Sequence, residues 1–426
     1  MPIQQIQNPL YLEDTQFSKL ARVTFFVFTF FCFFGTMMPF SDSLQTRDRI
    51  GTSNLMNQLL SLLFVAAVIS LWGKQRAVIA LIRQEKFLTL FIVWSLASVL
   101  WSGYTGTSLK RWISFFGEIT VCVAALVHFR WSSVGLRAMR VVMMIYFPLT
   151  ILAVILVPEA IQWEFPAWRG LAPTKNNLGQ LALISVVLWL SVLSFHKGQR
   201  INGLHVGVFL CIVASYVGAM STTAFLIGAF LLFTFSMHRL GTTISTEQIG
   251  GMYAGFVTVF SILVLGLLLG LAPEYIQRIF DLFGKDLSFT GRADLWATVI
   301  EMTAEKKWLG WGYGGFWVFD TPNHLAEVFA VFIWIPNQSH QGYIDVYNQT
   351  GLVGIALLLG MFANYFINLP RLQRPQLWKW VFIGCLFLNL QESFFFRPRH
   401  FGEFMFIYSY LALHMDRLRE THRGME

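Results

Sequence analysis

Charged residues are scarce in this sequence. Of its 426 residues only 13% are Asp, Glu, Lys or Arg, about half the usual share of roughly 25% in soluble domains. Apolar residues make up 55% of the chain and aromatic residues 16%. A chain of this length could not cover its surface with so few charges, so the composition excludes an ordinary soluble enzyme and predicts that lipid surrounds most of the molecule.

The signatures of several enzyme classes are also missing. The sequence has no Asp-x-Asp pair for a metal-held nucleotide sugar, and no Gly-x-Ser-x-Gly, His-Glu-x-x-His or Walker motif. The run from Gly310 to Gly315 has the letters of a glycine-rich nucleotide loop, but no βαβ pattern surrounds it. The sequence therefore predicts neither a metal site nor a cofactor.

Cysteines and basic patches exclude further classes. The chain has four cysteines, and each lies in an apolar stretch, where a packing role is expected and a disulfide or a metal site is not. The net charge of +8 is not gathered on a soluble, aromatic-containing patch, so nucleic-acid binding is not expected. The excess positive charge instead indicates loops that face anionic lipid headgroups.

Long apolar runs are what the sequence has in abundance. They predict an all-α polytopic integral membrane protein of about twelve transmembrane helices. The apolar windows are 21–40, 54–73, 87–101, 112–129, 138–157, 177–195, 203–219, 222–237, 250–271, 343–366, 379–395 and 401–415.

The distribution of Lys and Arg predicts the orientation. With both termini in the cytoplasm, most of the basic residues in short segments fall on the inner side. The predicted segments are a cytoplasmic tail (1–20), a bundle of about nine helices (21–271), a long external loop (272–341), about three further helices (342–415) and a second cytoplasmic tail (416–426). Part of the long loop, 293–307, reads as a helix, and a structured loop of this length is usually functional.

Three of the basic residues that the topology places on the outer side, where short loops normally avoid them, are candidates for chemistry. Arg169 and Lys175 precede or open one span, and Arg292 lies at the expected start of the loop helix. Arginine beside helix N-terminal amides makes a good anion site, because its fork matches phosphate oxygens. The alternative is that each cation only extends to the membrane interface.

His340 lies where the long loop re-enters the membrane. A neutral histidine there could accept a proton from a sugar hydroxyl, or could simply be a hydrogen-bonded interface residue. Glu392 is predicted at the end of a span, with Arg397 and Arg399 as nearby partners, and Glu118 lies inside another span. A carboxylate in a membrane is costly unless it is paired or faces a cavity, so structural pairing and function both remain open. For Glu118, Arg111 is a partner only if about one helical turn separates the two.

The order of these motifs resembles a known family. An Arg-Gly…Lys-Asn-x-Leu-Gly segment, a Thr-Gly-Arg…Trp segment, and Trp-x-Gly-x-Gly before Ser-His-x-x-Tyr-x-Asp…Gly-Leu-x-Gly are similar to the O-antigen ligase and polysaccharide polymerase superfamily. Within it, the exopolysaccharide polymerases of the ExoQ type are most similar. The resemblance covers residues from about 90 to 410. It implies a metal-independent glycosyltransferase with a GT-C-like membrane fold, acting on the periplasmic face of a bacterial inner membrane.

The resemblance also assigns roles to residues. Arg169 and Arg292 would hold the diphosphate of an undecaprenyl-diphosphate-linked donor, and Lys175 would assist. His340 would act as, or orient, the base for the acceptor hydroxyl. Glu392 and Arg397, to which the resemblance gives no role, are predicted from the residues themselves to bind substrate. One departure from the family pattern is Gln341, where related sequences often have Asn.

Four functional alternatives follow. The acceptor would be another lipid-linked repeat unit in a polymerase, or a lipid A core sugar in an O-antigen ligase. A transporter or flippase for a lipid-linked sugar would place its polar groups at the membrane midplane, often in repeats, whereas the residues singled out here lie at the outer surface. A scaffold or co-polymerase would leave the outer cations unexplained. Expected partners are the lipid-linked oligosaccharide, membrane lipids and a chain-length regulator.

Overall fold

A computed structural model describes residues 15–35, 55–162, 166–195, 203–240, 292–318, 336–369 and 377–423. In these ranges the chain is almost entirely helical. The helices before residue 241 are α1 (Gln16–Phe34), α2 (Leu55–Ser70), α3 (Gln75–Gln84), α4 (Lys86–Ser98), α5 (Thr105–His128), α6 (Gly135–Leu156), α7 (Lys175–Phe195), α8 (Gly203–Gly218) and α9 (Thr222–Leu240).

The later described helices are α10 (Arg292–Ala304), α11 (Gly342–Asn368), α12 (Leu377–Leu388) and α13 (Phe401–Arg423). Short 3-10 turns cover Val99–Trp101, Ser132–Val134 and Pro158–Ala160. A small antiparallel hairpin pairs β1 (Ile161–Gln162) with β2 (Ala167–Trp168), with Ile161 opposite Trp168.

Within the described ranges, four helices are long and apolar enough to cross a membrane. They are Gln16–Phe34, Thr105–His128, Ser132–Leu156 and Gly342–Asn368. A fifth span results if the pair Asn57–Ser70 and Gln75–Gln84, bent by 101°, is one broken segment. A predominantly helical chain with several helices that could span a membrane is thus confirmed, while the count of about twelve and the periplasmic loop stay predictions.

The predicted apolar windows match helices even where the helices are short. Every window except 250–271 overlaps a described helix, and 250–271 lies outside the described residues. The window 379–395 is the one whose end differs most, because α12 ends at Leu388. Glu392 therefore lies in the connection between α12 and α13 and not at the end of a span.

Local sequence explains where several helices begin and end. The Thr15 side chain caps α1 by accepting a hydrogen bond from the Ser18 amide, and α1 ends before Gly35 at a φ of 63°. The Glu85 carboxylate caps α4, with its Oε1 2.7 Å from the Leu88 nitrogen. Such caps satisfy amides that have no partner inside the helix.

The core is centred on α13, whose residues from Phe401 to Met415 are all buried. Phe404 and Tyr408 on this helix pack against Phe25 of α1, with ring centroids 5.7 Å and 5.2 Å apart. The same stretch also buries Glu403 and His414.

The segment 292–318 packs on α11 at a kink. Gly351 interrupts the helical backbone with φ 67° and ψ −168°, which leaves carbonyl groups of the preceding turn without helical partners. The amides of Trp311 and Gly312 donate to the carbonyls of Asn348 and Gln349, over 2.8 Å and 3.0 Å. The amide of Leu352 donates to the Lys307 carbonyl over 2.8 Å. The loop segment thus completes the backbone hydrogen bonding of α11.

Candidate active site

The candidate site is built around the connection between α12 and α13, which contains Glu392. The amide of Gly342, the first residue of α11, donates to the carbonyls of Asn389 and Glu392 over 2.8 Å and 3.0 Å. The Asn389 side-chain oxygen accepts hydrogen bonds from the amides of Phe394 and Phe395, each 3.1 Å long. These bonds fix Glu392 directly beside the start of α11.

His340 lies two residues before α11, and its side chain faces Glu392. Its Nδ1 is 3.5 Å from Oε2 of Glu392, and the side-chain amide of Gln338 lies 3.0 Å from the same nitrogen. The next residue, Gln341, caps α11 by accepting a 2.7 Å hydrogen bond from the Ile344 amide. The start of α11 therefore fixes the position of His340.

Arg292 reaches the same carboxylate from α10, of which it is the first residue. Its Nη1 donates to the Gln391 carbonyl over 2.8 Å, and its Nη2 lies 3.8 Å from Oε1 of Glu392. The side chains of Arg292 and His340 remain 20% and 23% exposed, while that of Glu392 is 12% exposed. The two predicted residues are thus brought together around Glu392 with surface left for a ligand.

The start of α7 supplies a third side of the site. Asn176 donates from Nδ2 to Oε1 of Glu392 over 3.1 Å, and the Asn177 side-chain amide lies 3.1 Å from Nε2 of His400. Lys175, the first residue of α7, donates its backbone amide to the side-chain oxygen of Gln162 over 2.9 Å. The basic motif at the start of α7 therefore lies next to Glu392.

Arg169 follows the β-hairpin just before α7. Its backbone amide donates to the Ala160 carbonyl over 2.9 Å, and its Nε donates to the Glu159 carbonyl. Arg169 is half-buried. These contacts place it on the hairpin, and its predicted role in holding the diphosphate stays a prediction.

Arg397 and Arg399 occupy the end of the same connection. Burial lowers the pKa of the Arg397 guanidinium, against the opposing effect of the Asp345, Glu392 and Glu403 carboxylates. Arg399 instead contacts Glu118, whose Oε2 accepts a 2.8 Å hydrogen bond from the Arg399 amide. Arg111, the other partner considered for Glu118, donates to the carbonyls of Gly314 and Trp317.

The charges around Glu392 hold it in its ionised form. Burial raises the pKa of this carboxyl, but the hydrogen bond and charge of His340, together with Arg292 and His400, outweigh burial and lower the pKa below its ordinary value. A carboxylate that faces one ring nitrogen of a histidine orients the ring, and the other ring nitrogen is the one that can act as a base. The arrangement suits proton abstraction beside a cationic anion-binding group.

Several residues of the site were not predicted from the sequence. Asn176, Gln338 and His400 approach Glu392 or His340 only after folding. Asn176 lies in the Lys-Asn-x-Leu-Gly pattern, which was the available signal for it. Within the described ranges, no three His, Cys, Asp or Glu side chains are grouped so that they could hold a metal ion.

The chain is similar to known proteins in two comparisons. The family model described as O-Antigen ligase matches residues 174–359, which include Lys175, Asn176, Arg292 and His340. The predicted family resemblance is confirmed. The chain is also 22% identical over 352 residues to the exopolysaccharide production protein ExoQ of Rhizobium meliloti (strain 1021), covering 78% of this chain and 77% of the relative.

Proposed function

We propose that this protein is a membrane-embedded glycosyltransferase that polymerises lipid-linked oligosaccharide units on the periplasmic face of the inner membrane. The observation that carries the proposal is the convergence of Arg292 and His340 on Glu392. Both come from segments that the sequence singled out for anion binding and for proton abstraction. The family model and the ExoQ-like relative support the same chemistry.

The proposed reaction needs no nucleotide. The acceptor hydroxyl oxygen attacks the anomeric carbon of the donor sugar, and the bond from that carbon to the diphosphate breaks with its electron pair leaving on the diphosphate. His340 accepts the hydroxyl proton, a step that typically contributes about 10²–10⁴-fold. Arg292 meets the growing charge on the leaving diphosphate, which is where fixed cations help most. Glu392 orients the His340 ring.

The remaining roles follow from position. Arg169, on the hairpin before α7, and Lys175, at the start of α7, are assigned to the diphosphate, and Arg397 to substrate binding. The donor is an oligosaccharide on undecaprenyl diphosphate, both termini are cytoplasmic, and 272–341 is the periplasmic loop. Catalysis is proposed to be metal-independent, with a chain-length regulator as a further partner.

The test uses purified protein and undecaprenyl-diphosphate-linked repeat units as the only substrate. We expect the wild type to elongate them into a ladder of products, resolved on a gel. His340→Ala and Arg292→Ala should each reduce elongation by at least about a hundredfold, while the protein still purifies as a folded species. The control is Lys307→Ala, which removes an exposed cation from the same loop.

The outcomes separate the possible activities. Wild-type ladders from His340→Ala would contradict the proposed base. Transfer that occurs only after lipid A core is added would identify a ligase, which the description of the matching family model favours as the second candidate. No bond formation with either acceptor, together with movement of the lipid-linked sugar across a vesicle membrane, would identify a transporter.

A further inference from the structure

Ser339, the residue before His340, is held through both of its backbone hydrogen-bonding groups. Ser339 is fully buried. Its amide donates to Asp345, 3.1 Å from Oδ1 and 3.3 Å from Oδ2. Its carbonyl accepts a 2.8 Å hydrogen bond from the indole Nε1 of Trp296. Because its amide and its carbonyl are both hydrogen-bonded, the two peptide planes that flank Ser339 have little freedom to rotate.

Asp345 is itself fixed by the loop segment. It is 5% exposed, and its Oδ1 accepts a 2.8 Å hydrogen bond from the indole Nε1 of Trp317. The Asn348 amide lies 3.3 Å from the same oxygen. A buried carboxylate that accepts several hydrogen bonds is a rigid anchor. Both tryptophans belong to the segment 292–318, so one segment holds Ser339 directly through Trp296 and indirectly through Trp317 and Asp345.

The restraint matters because His340 has an uncommon backbone conformation. Its φ is 53°, in the left-handed region, where a non-glycine residue is strained and stays only if its surroundings hold it there. The carbonyl of Ser339 and the nitrogen of His340 share one peptide plane. A bond to that carbonyl therefore fixes the plane from which the His340 side chain projects toward Glu392.

We propose that Asp345, Trp296 and Trp317 are positioning residues that hold His340 in its reactive orientation through the backbone amide and carbonyl of Ser339. The inference rests on the proposed function, in which His340 is the base. It adds a role for the segment 292–318, in which the indole N–H groups of Trp296 and Trp317 set the geometry of the proton acceptor. None of the three residues needs to touch the substrate.

Three Trp→Phe substitutions test this role. Trp296→Phe and Trp317→Phe each remove one indole donor from the network. Trp311→Phe is the matched control, because the Trp311 indole donates to the Met302 carbonyl over 3.2 Å and lies in the same segment and apolar cluster. The measurement is kcat and KM for undecaprenyl-diphosphate-linked repeat units with the purified full-length protein.

We expect Trp296→Phe and Trp317→Phe to lower kcat between roughly tenfold and a hundredfold, because a displaced catalytic group costs rate. KM for the donor should stay within about twofold, since the cations that hold the diphosphate are unchanged. Trp311→Phe should retain both constants within about twofold. A purely structural role would lower the amount of folded protein in all three variants and leave kcat per folded molecule unchanged.

A second pair of variants covers the case in which a tryptophan change prevents folding. Asp345→Asn keeps one side-chain oxygen that can accept from Ser339, whereas Asp345→Ala removes both. The kcat of Asp345→Asn should therefore be at least about tenfold higher than that of Asp345→Ala.

Failure of the proposed function and failure of the positioning role give different results. Full activity of His340→Ala would overturn the proposed function. An inactive His340→Ala variant, combined with tryptophan variants that match Trp311→Phe, would overturn the positioning role alone. Equal kcat in Asp345→Asn and Asp345→Ala would also overturn it.

Discussion

At the scale of single residues, Glu392 is the point where separate parts of the chain meet. Its carboxylate contacts Arg292 from α10, His340 from the segment before α11 and Asn176 from α7. A buried carboxylate without such partners would bind a proton and lose its charge. Its partners keep it ionised, and in that form it can orient His340.

The lowered pKa of Glu392 predicts a dependence of stability on pH. A group whose pKa is lowered in the folded state stabilises the fold above its unfolded value and loses that contribution as pH falls through the folded value. We therefore expect the wild type to have a higher Tm than Glu392→Gln at neutral pH. The gap should narrow as pH falls below the ordinary glutamate value of 4.5.

Thermal unfolding in detergent across this pH range provides the measurement. Glu301→Gln, which alters an exposed carboxylate on α10, is the control, and its gap from the wild type should be small throughout. A difference between wild type and Glu392→Gln that stays constant down to strongly acidic pH would contradict the expected ionisation.

At the scale of elements, the kink in α11 connects the membrane bundle with the loop segment. Gly310 (φ 70°) and Gly351 (φ 67°) both have left-handed backbones at the contact. A Cβ on Gly351 would lie 2.2 Å from the Trp308 carbonyl oxygen, and one on Gly310 would lie 2.5 Å from the backbone of Gln349. Two glycines therefore allow loop and helix backbones to approach closely enough for hydrogen bonding.

Gly351→Ala should destabilise the protein by about 2 kcal/mol or more, because alanine adds both backbone strain and a clash with backbone atoms. The measurement is thermal unfolding of the purified protein. Gly207→Ala is the matched control: Gly207 lies on exposed α8, where an added Cβ meets nothing within 4 Å, and alanine is expected to be neutral or to stabilise by up to about 1 kcal/mol. Equal Tm values for the two variants would contradict the role of the kink.

At the scale of the whole molecule, the polar site lies where helix ends and connections meet, and the flanking helices present apolar side chains. Exposed apolar residues such as Leu62, Val93 and Ile155 fit contact with lipid. Arg292, His340 and Glu392 lie at the N-terminus of α10, before α11 and after α12. Under the predicted topology this face is periplasmic, and the donor lipid would reach it from the membrane.

Cysteine labelling tests that topology. Lys307→Cys, at an exposed loop position, should react with a membrane-impermeant maleimide in spheroplasts, whereas Arg130→Cys, exposed on the opposite predicted side, should react only after lysis. The half-buried native Cys211 is replaced by Ala beforehand, and the other three cysteines are buried. Labelling of Arg130→Cys before Lys307→Cys would invert the predicted orientation.

The site was predictable in part. His340 and Arg292 were identified because a histidine and an arginine near expected helix ends suit proton and phosphate chemistry. Glu392 was assigned to the wrong local structure, since the apolar run past Leu388 hides where α12 ends. Asp345 appeared in the family pattern without a role, because only folding brings Ser339 and Trp317 to its carboxylate.

The sequence by itself determined that the chain is helical and membrane-bound, because apolar composition and run length act locally and need no tertiary information. It also indicated the family through short motifs in a fixed order. Only the tertiary structure decided which polar groups share a site. Glu392 is 216 positions from Asn176 and 52 from His340, and contacts over such separations depend on how helices pack and where they end.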